Sequence, residues 1–123
     1  MMPCVMIIDD DRDVRDLLSG RFAAHGYEVI TAENGAEAIH KLQSGRVPDI
    51  VFVDLLMPGV IGGSVLEFMR SDARFRRVQI AVVTGSPHLA PDGPPVFTKP
   101  VSFETLLAFA HARHPSEHRL NGA

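Results

Sequence analysis

This sequence contains no tryptophan, one tyrosine and a single cysteine, Cys4, among its 123 residues. One cysteine cannot form an internal disulfide, and a thiol inside an apolar run is expected to be buried and inert. No apolar stretch approaches the roughly 20 residues that a membrane-spanning helix needs. The amino terminus also lacks the basic segment of a secretory signal. A cytoplasmic protein is therefore the expectation.

The sequence also lacks a marked excess of either charge. It has 12 basic and 15 acidic residues and a net charge of −3, which gives no electrostatic reason to expect nucleic acid or a membrane as partner. Apolar residues make up 46% of the chain, too many for a disordered segment. We expect one domain over residues 1–114, followed by a polar, proline-containing tail over residues 115–123.

Short apolar runs alternate with segments of helical periodicity. The runs predict five strands, at residues 4–8, 27–31, 50–53, 79–83 and 96–98. Helices are expected after the capping residues Asp11, Asn34 and Ser102 and over residues 64–70. Strands that alternate with helices imply βαβ units, and right-handed crossovers then give a parallel sheet covered on both faces.

The fourth connection differs from the others because it is rich in proline. It contains Pro87, Pro91, Pro94 and Pro95. An interior proline costs a helix about 3 kcal/mol. The fourth helix is therefore predicted to be absent or reduced to about one turn.

Polar residues follow the predicted strands where the strands end. Asp9 and Asp10 follow the first strand, Asp54 the third, Thr84 the fourth and Lys99 the fifth. In open α/β sheets, sites lie beyond the carboxyl ends of the strands. A strand order of 2-1-3-4-5 would place Asp54 between the other groups. Each residue alone has an ordinary structural explanation, such as a helix cap or a surface charge. Together they suit Mg²⁺ and phosphoryl transfer, which needs a nucleophile, a metal and a fixed positive group.

At these residues the chain resembles the receiver domain of two-component response regulators. The resemblance runs from about Val5 to Arg113. It implies a flavodoxin-like, doubly wound sheet of order 2-1-3-4-5 in a single-domain regulator whose fourth helix is short or absent. The matching segments are Met6-Ile7-Ile8-Asp9-Asp10-Asp11, Gly26-Tyr27-Glu28-Val29, Ala32-Glu33-Asn34-Gly35, Pro48-Asp49-Ile50-Val51 before Asp54, Met57-Pro58, Val82-Val83-Thr84-Gly85 and Lys99-Pro100.

The resemblance implies a Mg²⁺ site. Asp10, Asp54 and the backbone carbonyl of Leu56 would bind the ion directly, and Asp9 would act through a water molecule. Asp54 would be the phosphoacceptor, phosphorylated by a sensor histidine kinase or a phosphotransfer protein.

The resemblance also gives roles to Lys99 and Thr84. Lys99 would pair with the Asp54 carboxylate or its phosphate, and the Lys99–Pro100 bond would be cis. Thr84 would hydrogen-bond the phosphoryl group and couple it to a conformational change read by a downstream protein. Such a protein is a phosphoacceptor with at most self-phosphorylation and self-dephosphorylation activity, and not an enzyme in the usual sense.

The chain departs from the family pattern at two further places. Ile61-Gly62 stands where the family usually has Asp-Gly, so an acidic partner is lost. Val96 stands where the family often has an aromatic residue that moves with the threonine. The adjacent Phe97 should point to the opposite face of the sheet.

Two other functions fit parts of the pattern. A receiver-like interaction module that is no longer phosphorylated would keep the fold. A haloacid-dehalogenase-type phosphatase would use the Asp-x-Asp of residues 9–11 with Thr84 and Lys99. That class needs a further acidic pair after the lysine, where this sequence has Glu104 and Glu117. It would also leave Asp54 without a role.

Overall fold

A computed structural model describes residues 2–54 and 62–113 of the chain. It contains a parallel sheet of five strands in the order β2-β1-β3-β4-β5. This confirms the predicted fold class and strand order. The strands are β1 Cys4–Ile8, β2 Glu28–Ala32, β3 Ile50–Val53, β4 Gln79–Thr84 and β5 Val96–Thr98.

The central strands are continuous apolar runs because helices cover both of their faces. Every residue of β1 and β3 is buried. Val53 pairs with Val82, and β4 continues beyond that pair to Thr84. Ile8 pairs with Val53, so the carboxyl ends of β1 and β3 are level. The residues that follow these strands therefore leave the sheet side by side.

Four helices flank the sheet, and their starts follow the capping chemistry of the sequence. They are α1 Arg12–Ala24, α2 Gly35–Ser44, α3 Gly62–Arg70 and α4 Phe103–Arg113. Asp11 accepts from the backbone N–H groups of Asp13 and Val14, and Asn34 accepts from that of Glu37. Between β4 and β5 there is only a 3₁₀ turn, Pro87–Leu89, in place of a helix. The prediction of a reduced fourth helix is confirmed.

Alternate residues of the strands face two separate cores. One face packs against α2 and α3 through aliphatic side chains such as Leu42, Val65 and Met69. The other packs against α1 and α4 and is rich in aromatic rings. In this second core Phe22 lies at its centre, with ring centroids 4.9 Å from Phe103 and 5.8 Å from Phe52. The sheet is thus held by an aliphatic layer on one side and an aromatic layer on the other.

The second strand begins one residue later than the sequence predicted. Gly26 has a φ of 88°, and the backbone N–H of Tyr27 donates to the carbonyl of Phe22 at 3.1 Å. This bond belongs to the end of α1, so the ladder begins with Glu28, whose N–H donates to Pro3. Tyr27 is buried like the residues of a strand, although it precedes the first paired residue of β2.

Two apolar residues on the helices are exposed, although they lie at helical spacing from buried or half-buried apolar residues. Leu17 on α1 is 57% exposed, and Ala36 on α2 is also exposed. On α2 the buried positions are Gly35, Ala38 and Leu42. These residues lie at helical spacing and form the face of α2 that packs against the sheet.

Some expectations fall on residues that the structure does not describe. They concern Leu56, the Met57-Pro58 and Ile61 positions, and the tail of residues 115–123. Among the residues that are described, no helix has both the length and the apolarity needed to cross a bilayer.

The Cys4 thiol should be chemically silent in the folded protein. Cys4 is fully buried in β1, and burial raises the pKa of its thiol to about 11. Labelling by a thiol reagent near neutral pH should therefore be slower than in the denatured chain by roughly 100-fold or more. Labelling at the denatured rate under native conditions would contradict this placement.

Candidate functional site

The carboxyl ends of β1, β3 and β5 bring three charged side chains together. The Lys99 ammonium donates to Asp9 Oδ2 at 2.8 Å and to Asp54 Oδ2 at 3.2 Å. Asp9 is 4% exposed and Asp54 is 7% exposed, so both carboxylates lie largely out of water. The level strand ends described above are what place Asp9 next to Asp54.

Asp9 is fixed by hydrogen bonds from several elements. Its backbone N–H donates to the carbonyl of Ala32 at 3.1 Å, which ties it to β2. Its Oδ1 accepts from the backbone N–H of Asp11 at 2.9 Å, while Oδ2 accepts from Lys99. Its carbonyl accepts from Arg15 Nη1 at 2.7 Å. Asp9 is therefore held through its side chain, its backbone N–H and its carbonyl.

Asp10 is the exposed member of the same group. Carboxylate oxygens of Asp9, Asp10 and Asp54 all lie within 4.8 Å of one another. Three hard oxygen donors at this spacing, with one carboxylate open to solvent, fit a Mg²⁺ ion that keeps several of its waters. The chemistry of the donors thus agrees with the predicted ion.

The pKa of Lys99 lies above its ordinary value of 10.5. Burial alone would lower it, but the hydrogen bonds and negative charges of Asp9 and Asp54 together outweigh that effect. Lys99 therefore remains an ammonium ion across the physiological range of pH, as its role beside two carboxylates requires.

Thr84 ends β4 beside Lys99 but is engaged with the following segment. Its carbonyl accepts from the backbone N–H of Lys99 at 2.8 Å. Its buried hydroxyl oxygen accepts from the backbone N–H of Ser86 at 3.0 Å. The side chain is thus connected to the residue that precedes the Pro87–Leu89 turn.

Val96 and Phe97, neighbours in β5, lie on opposite faces of the strand. Val96 is 37% exposed, whereas Phe97 packs its ring edge-on against Phe109 of α4 at 5.6 Å. Phe97 therefore points away from the face that Val96 occupies, as predicted. The Lys99–Pro100 bond is cis, also as predicted.

A groove of about 640 Å³ opens between α1 and α4 and reaches Asp9, Asp54 and Lys99. Most of its wall is apolar. Leu17, an exposed leucine of α1, lies on this wall, and Arg21 and Glu104 are on its rim, with their charged groups 4.0 Å apart. The site is thus bordered by an apolar surface large enough to receive part of another molecule.

Two features of the site were not predicted from the sequence. Arg15 was not singled out, although side chains on a helix point back toward its amino end and can reach the strand that precedes it. Leu17 was not singled out either, since its helical spacing is also that of a core residue. Spacing alone does not show whether a residue faces the sheet or the groove beside it.

Comparison with known proteins gives consistent similarities. Residues 5–92 match the family model described as response regulator receiver domain. Protein PilH of Pseudomonas aeruginosa is 31% identical over 90% of this chain and 97% of its own length. The probable transcriptional regulator ycf27 of Guillardia theta is 36% identical, but this chain covers only 27% of its length.

The fold is also similar to a solved structure that contains a metal. Response regulator TrrA of Thermotoga maritima, solved in complex with Mg²⁺ and BeF, is 30% identical. It superimposes with a TM-score of 0.80 over 92% of this chain and 100% of its own.

Replacing Lys99 by methionine should destabilise the metal-free protein by about 2 kcal/mol, because Asp9 and Asp54 then lose their shared cation. Breaking a fully buried pair costs roughly 3–5 kcal/mol, and the 30% exposure of Lys99 reduces that figure. Urea unfolding measures the change. Mg²⁺ should restore part of the loss, since it also neutralises the carboxylates.

Lys41→Met is the control, because Lys41 pairs with Glu37 and donates to the Thr31 carbonyl rather than to the acidic group. The loss of stability in this variant should be smaller and independent of Mg²⁺. The difference in free energy of unfolding between wild type and Lys99→Met should be constant from neutral pH up to pH 10.5 and should fall as the pH rises through the higher folded-state pKa of Lys99. Cys4 titrates in both proteins, so its effect cancels. Equal losses of stability in Lys99→Met and Lys41→Met would contradict the role of Lys99 as the shared cation of Asp9 and Asp54.

Proposed function

This chain belongs to the response regulator receiver domain family, and on that premise we propose that it is a phosphorylation-dependent switch whose phosphoacceptor is Asp54. Receiver domains are the phosphoaccepting modules of two-component signalling rather than enzymes in the usual sense. The proposed donor is a phosphohistidine of a sensor kinase or a phosphotransfer protein.

The observation that carries the proposal is the Lys99 ammonium held between Asp9 and Asp54. Lys99 contacts Asp54 Oδ2, and a carboxylate oxygen of Asp54 is the proposed nucleophile. That oxygen forms the new O–P bond while the P–N bond to the donor imidazole breaks and its electron pair returns to the ring nitrogen. The Lys99 ammonium then faces a negatively charged phosphoryl group in place of a carboxylate.

The residues proposed to hold Mg²⁺ follow from how each carboxylate is already engaged. Both oxygens of Asp9 accept hydrogen bonds within the site, so Asp9 would act through a water molecule. Asp10 is exposed and would coordinate directly, together with Asp54 and the Leu56 carbonyl. When bound, Mg²⁺ supplies positive charge to the phosphoryl oxygens.

Thr84 is proposed to report the phosphoryl group to the rest of the molecule. Its hydroxyl oxygen accepts from Ser86, and its own proton can be donated to a phosphoryl oxygen. Movement of the hydroxyl toward Asp54 would weaken the bond to Ser86 and release the Pro87–Leu89 turn. The signal would then leave through residues 86–95, without an aromatic side chain at Val96.

The groove between α1 and α4 is the proposed docking surface for the phosphodonor. It is apolar, lies next to Asp54, and exposes Leu17 without a partner on the helix surface. A helix carrying the phosphohistidine would bury Leu17 and bring the imidazole to Asp54.

A phosphatase of the haloacid-dehalogenase type gains no support from the arrangement of acidic residues. Glu104, the acidic residue that follows Lys99 in the described part of the chain, pairs with Arg21 and has a side chain 73% exposed. It therefore lies on the rim of the groove and not with Asp9, Asp10 and Asp54.

Acetyl phosphate with Mg²⁺ should add the mass of one phosphoryl group to the intact protein. Asp54→Asn should abolish the gain, because an amide oxygen cannot serve as the acceptor. Asp72→Asn, in an aspartate that caps a surface turn, should leave it unchanged. No gain with acetyl phosphate or phosphoramidate would instead indicate an interaction module that has lost phosphorylation.

Leu17→Glu should slow phosphotransfer from a phosphohistidine protein by roughly tenfold or more, because a charge in the groove opposes burial of an apolar partner. Phosphorylation by acetyl phosphate should not change, since that small donor needs no docking surface. Leu89→Glu is the matched control: Leu89 is 56% exposed but lies on the Pro87–Leu89 turn. If both variants transfer at the same rate, the groove is not the docking surface.

A further inference from the structure

A second cation, Arg15 of α1, holds the loop that carries the acidic pair. Its Nη1 donates to the backbone carbonyl of Asp9 at 2.7 Å, and its Nη2 lies 3.9 Å from Glu33 Oε2. The Arg15 side chain is 15% exposed, whereas that of Arg12 on the same helix is 84% exposed. Arg15 is therefore part of the edge of the site, while Arg12 is a solvated surface charge.

The carbonyl that Arg15 holds belongs to the peptide group that joins Asp9 to Asp10. The carbonyl of Asp9 and the N–H of Asp10 lie in one plane because the peptide bond is planar. A hydrogen bond that fixes the Asp9 carbonyl oxygen therefore also fixes the plane of the peptide group, and with it the position of the Asp10 Cα. A charge-assisted bond of 2.7 Å is a strong restraint of this kind.

Asp10 has a particular need for such a restraint. Within residues 2–54 and 62–113, its exposed carboxylate makes neither a hydrogen bond nor an ion pair. Asp9, by contrast, is held through its side chain by Lys99 and the Asp11 N–H. The direction of the Asp10 side chain therefore depends on the backbone that carries it.

We propose that Arg15 is a positioning residue for Mg²⁺ binding, acting through the Asp9–Asp10 peptide group. It orients this group so that the Asp10 carboxylate converges with those of Asp9 and Asp54. Arg15 itself touches neither the ion nor the phosphoryl group. The inference rests on the proposed function, in which Asp10 is a direct ligand.

Glu33 gives the guanidinium its second anchor. Glu33 lies between β2 and α2, where its backbone N–H donates to Glu37 Oε1 at 2.9 Å. The backbone N–H of Glu37 in turn donates to Oδ1 of Asn34, the residue that caps α2. Arg15 thus connects the loop after β1 to the start of α2. The position of its guanidinium group therefore depends on Glu33 as well as on α1.

The direction in which the Mg²⁺ affinity changes when Arg15 is replaced distinguishes a positioning role from an effect of its charge alone. A guanidinium close to three carboxylates repels a dication, so the loss of its charge alone would tighten Mg²⁺ binding. The loss of a positioning contact would weaken it. Removal of a group that orients a metal ligand typically lowers affinity by about 10- to 100-fold.

Mg²⁺ titration of the full chain by calorimetry, without any phosphodonor, tests the proposal. Arg15→Met keeps the length and helix propensity of the side chain but removes its donors, and we expect its Kd to rise by roughly tenfold or more. Arg15→Lys retains one donor and should recover part of the affinity. Arg12→Met removes the same charge from an exposed position and should leave the Kd unchanged or slightly lower.

A second readout addresses the backbone directly. The amide resonance of Asp10 in the metal-free protein should shift in Arg15→Met and stay in place in Arg12→Met. If Arg15→Met does not fold cooperatively, Arg15→Gln takes its place with the same expectations, because its shorter side chain cannot reach the Asp9 carbonyl.

The outcomes distinguish this inference from the proposed function. Wild type that binds Mg²⁺, together with an Arg15 variant of equal or tighter affinity, overturns the positioning role and leaves the proposed function standing. Wild type that binds no Mg²⁺ overturns the proposed function itself. Weaker binding in Arg15→Met that persists at high salt, with Arg12→Met unaffected, supports the inference.

Discussion

One ammonium group offsets part of the negative charge that the fold concentrates at the end of its sheet. Because β1 and β3 are neighbours with level ends, Asp9 and Asp54 must meet, and both are more than nine-tenths buried. Two carboxylates so placed repel each other unless a cation lies between them. Lys99 supplies that cation from β5, a strand of only three residues. The short edge strand is therefore as important to the site as the long central ones.

The two cores lie on opposite sides of the sheet, and each supports its own pair of helices. The aromatic core around Phe22 and Phe103 supports α1 and α4, which form the walls of the groove beside Asp54. The aliphatic core supports α2 and α3 and receives Ala90 from the segment after β4. A partner that enters the groove and a target that reads the turn at Leu89 would thus meet different surfaces. The sheet between them carries the acidic group that both depend on.

Much of this arrangement follows from the sequence, and the remainder depends on packing that no local pattern records. The apolar runs ending at Asp9 and Asp54 predict buried strands, and the rule that sites lie at strand ends brings the charged residues together. The exposure of Leu17 depends on how α1 rotates against the sheet, which helical spacing does not determine. The contact from Arg15 to the Asp9 carbonyl is similarly unpredictable, because a backbone acceptor leaves no mark in the sequence.

The connection between β4 and β5 has a consequence for how such a domain can diversify. Its ends are fixed by hydrogen bonds, from the Ser86 N–H to the Thr84 hydroxyl and from the Val82 N–H to the Pro95 carbonyl. Between them the contacts are slight, with Ala90 against the core and the Asp92 carbonyl near Arg70. Doubling the length of a flexible loop costs only about 0.6 kcal/mol. Insertions of new length and sequence could therefore accumulate here, giving new specificities while the charged group beneath stays unchanged.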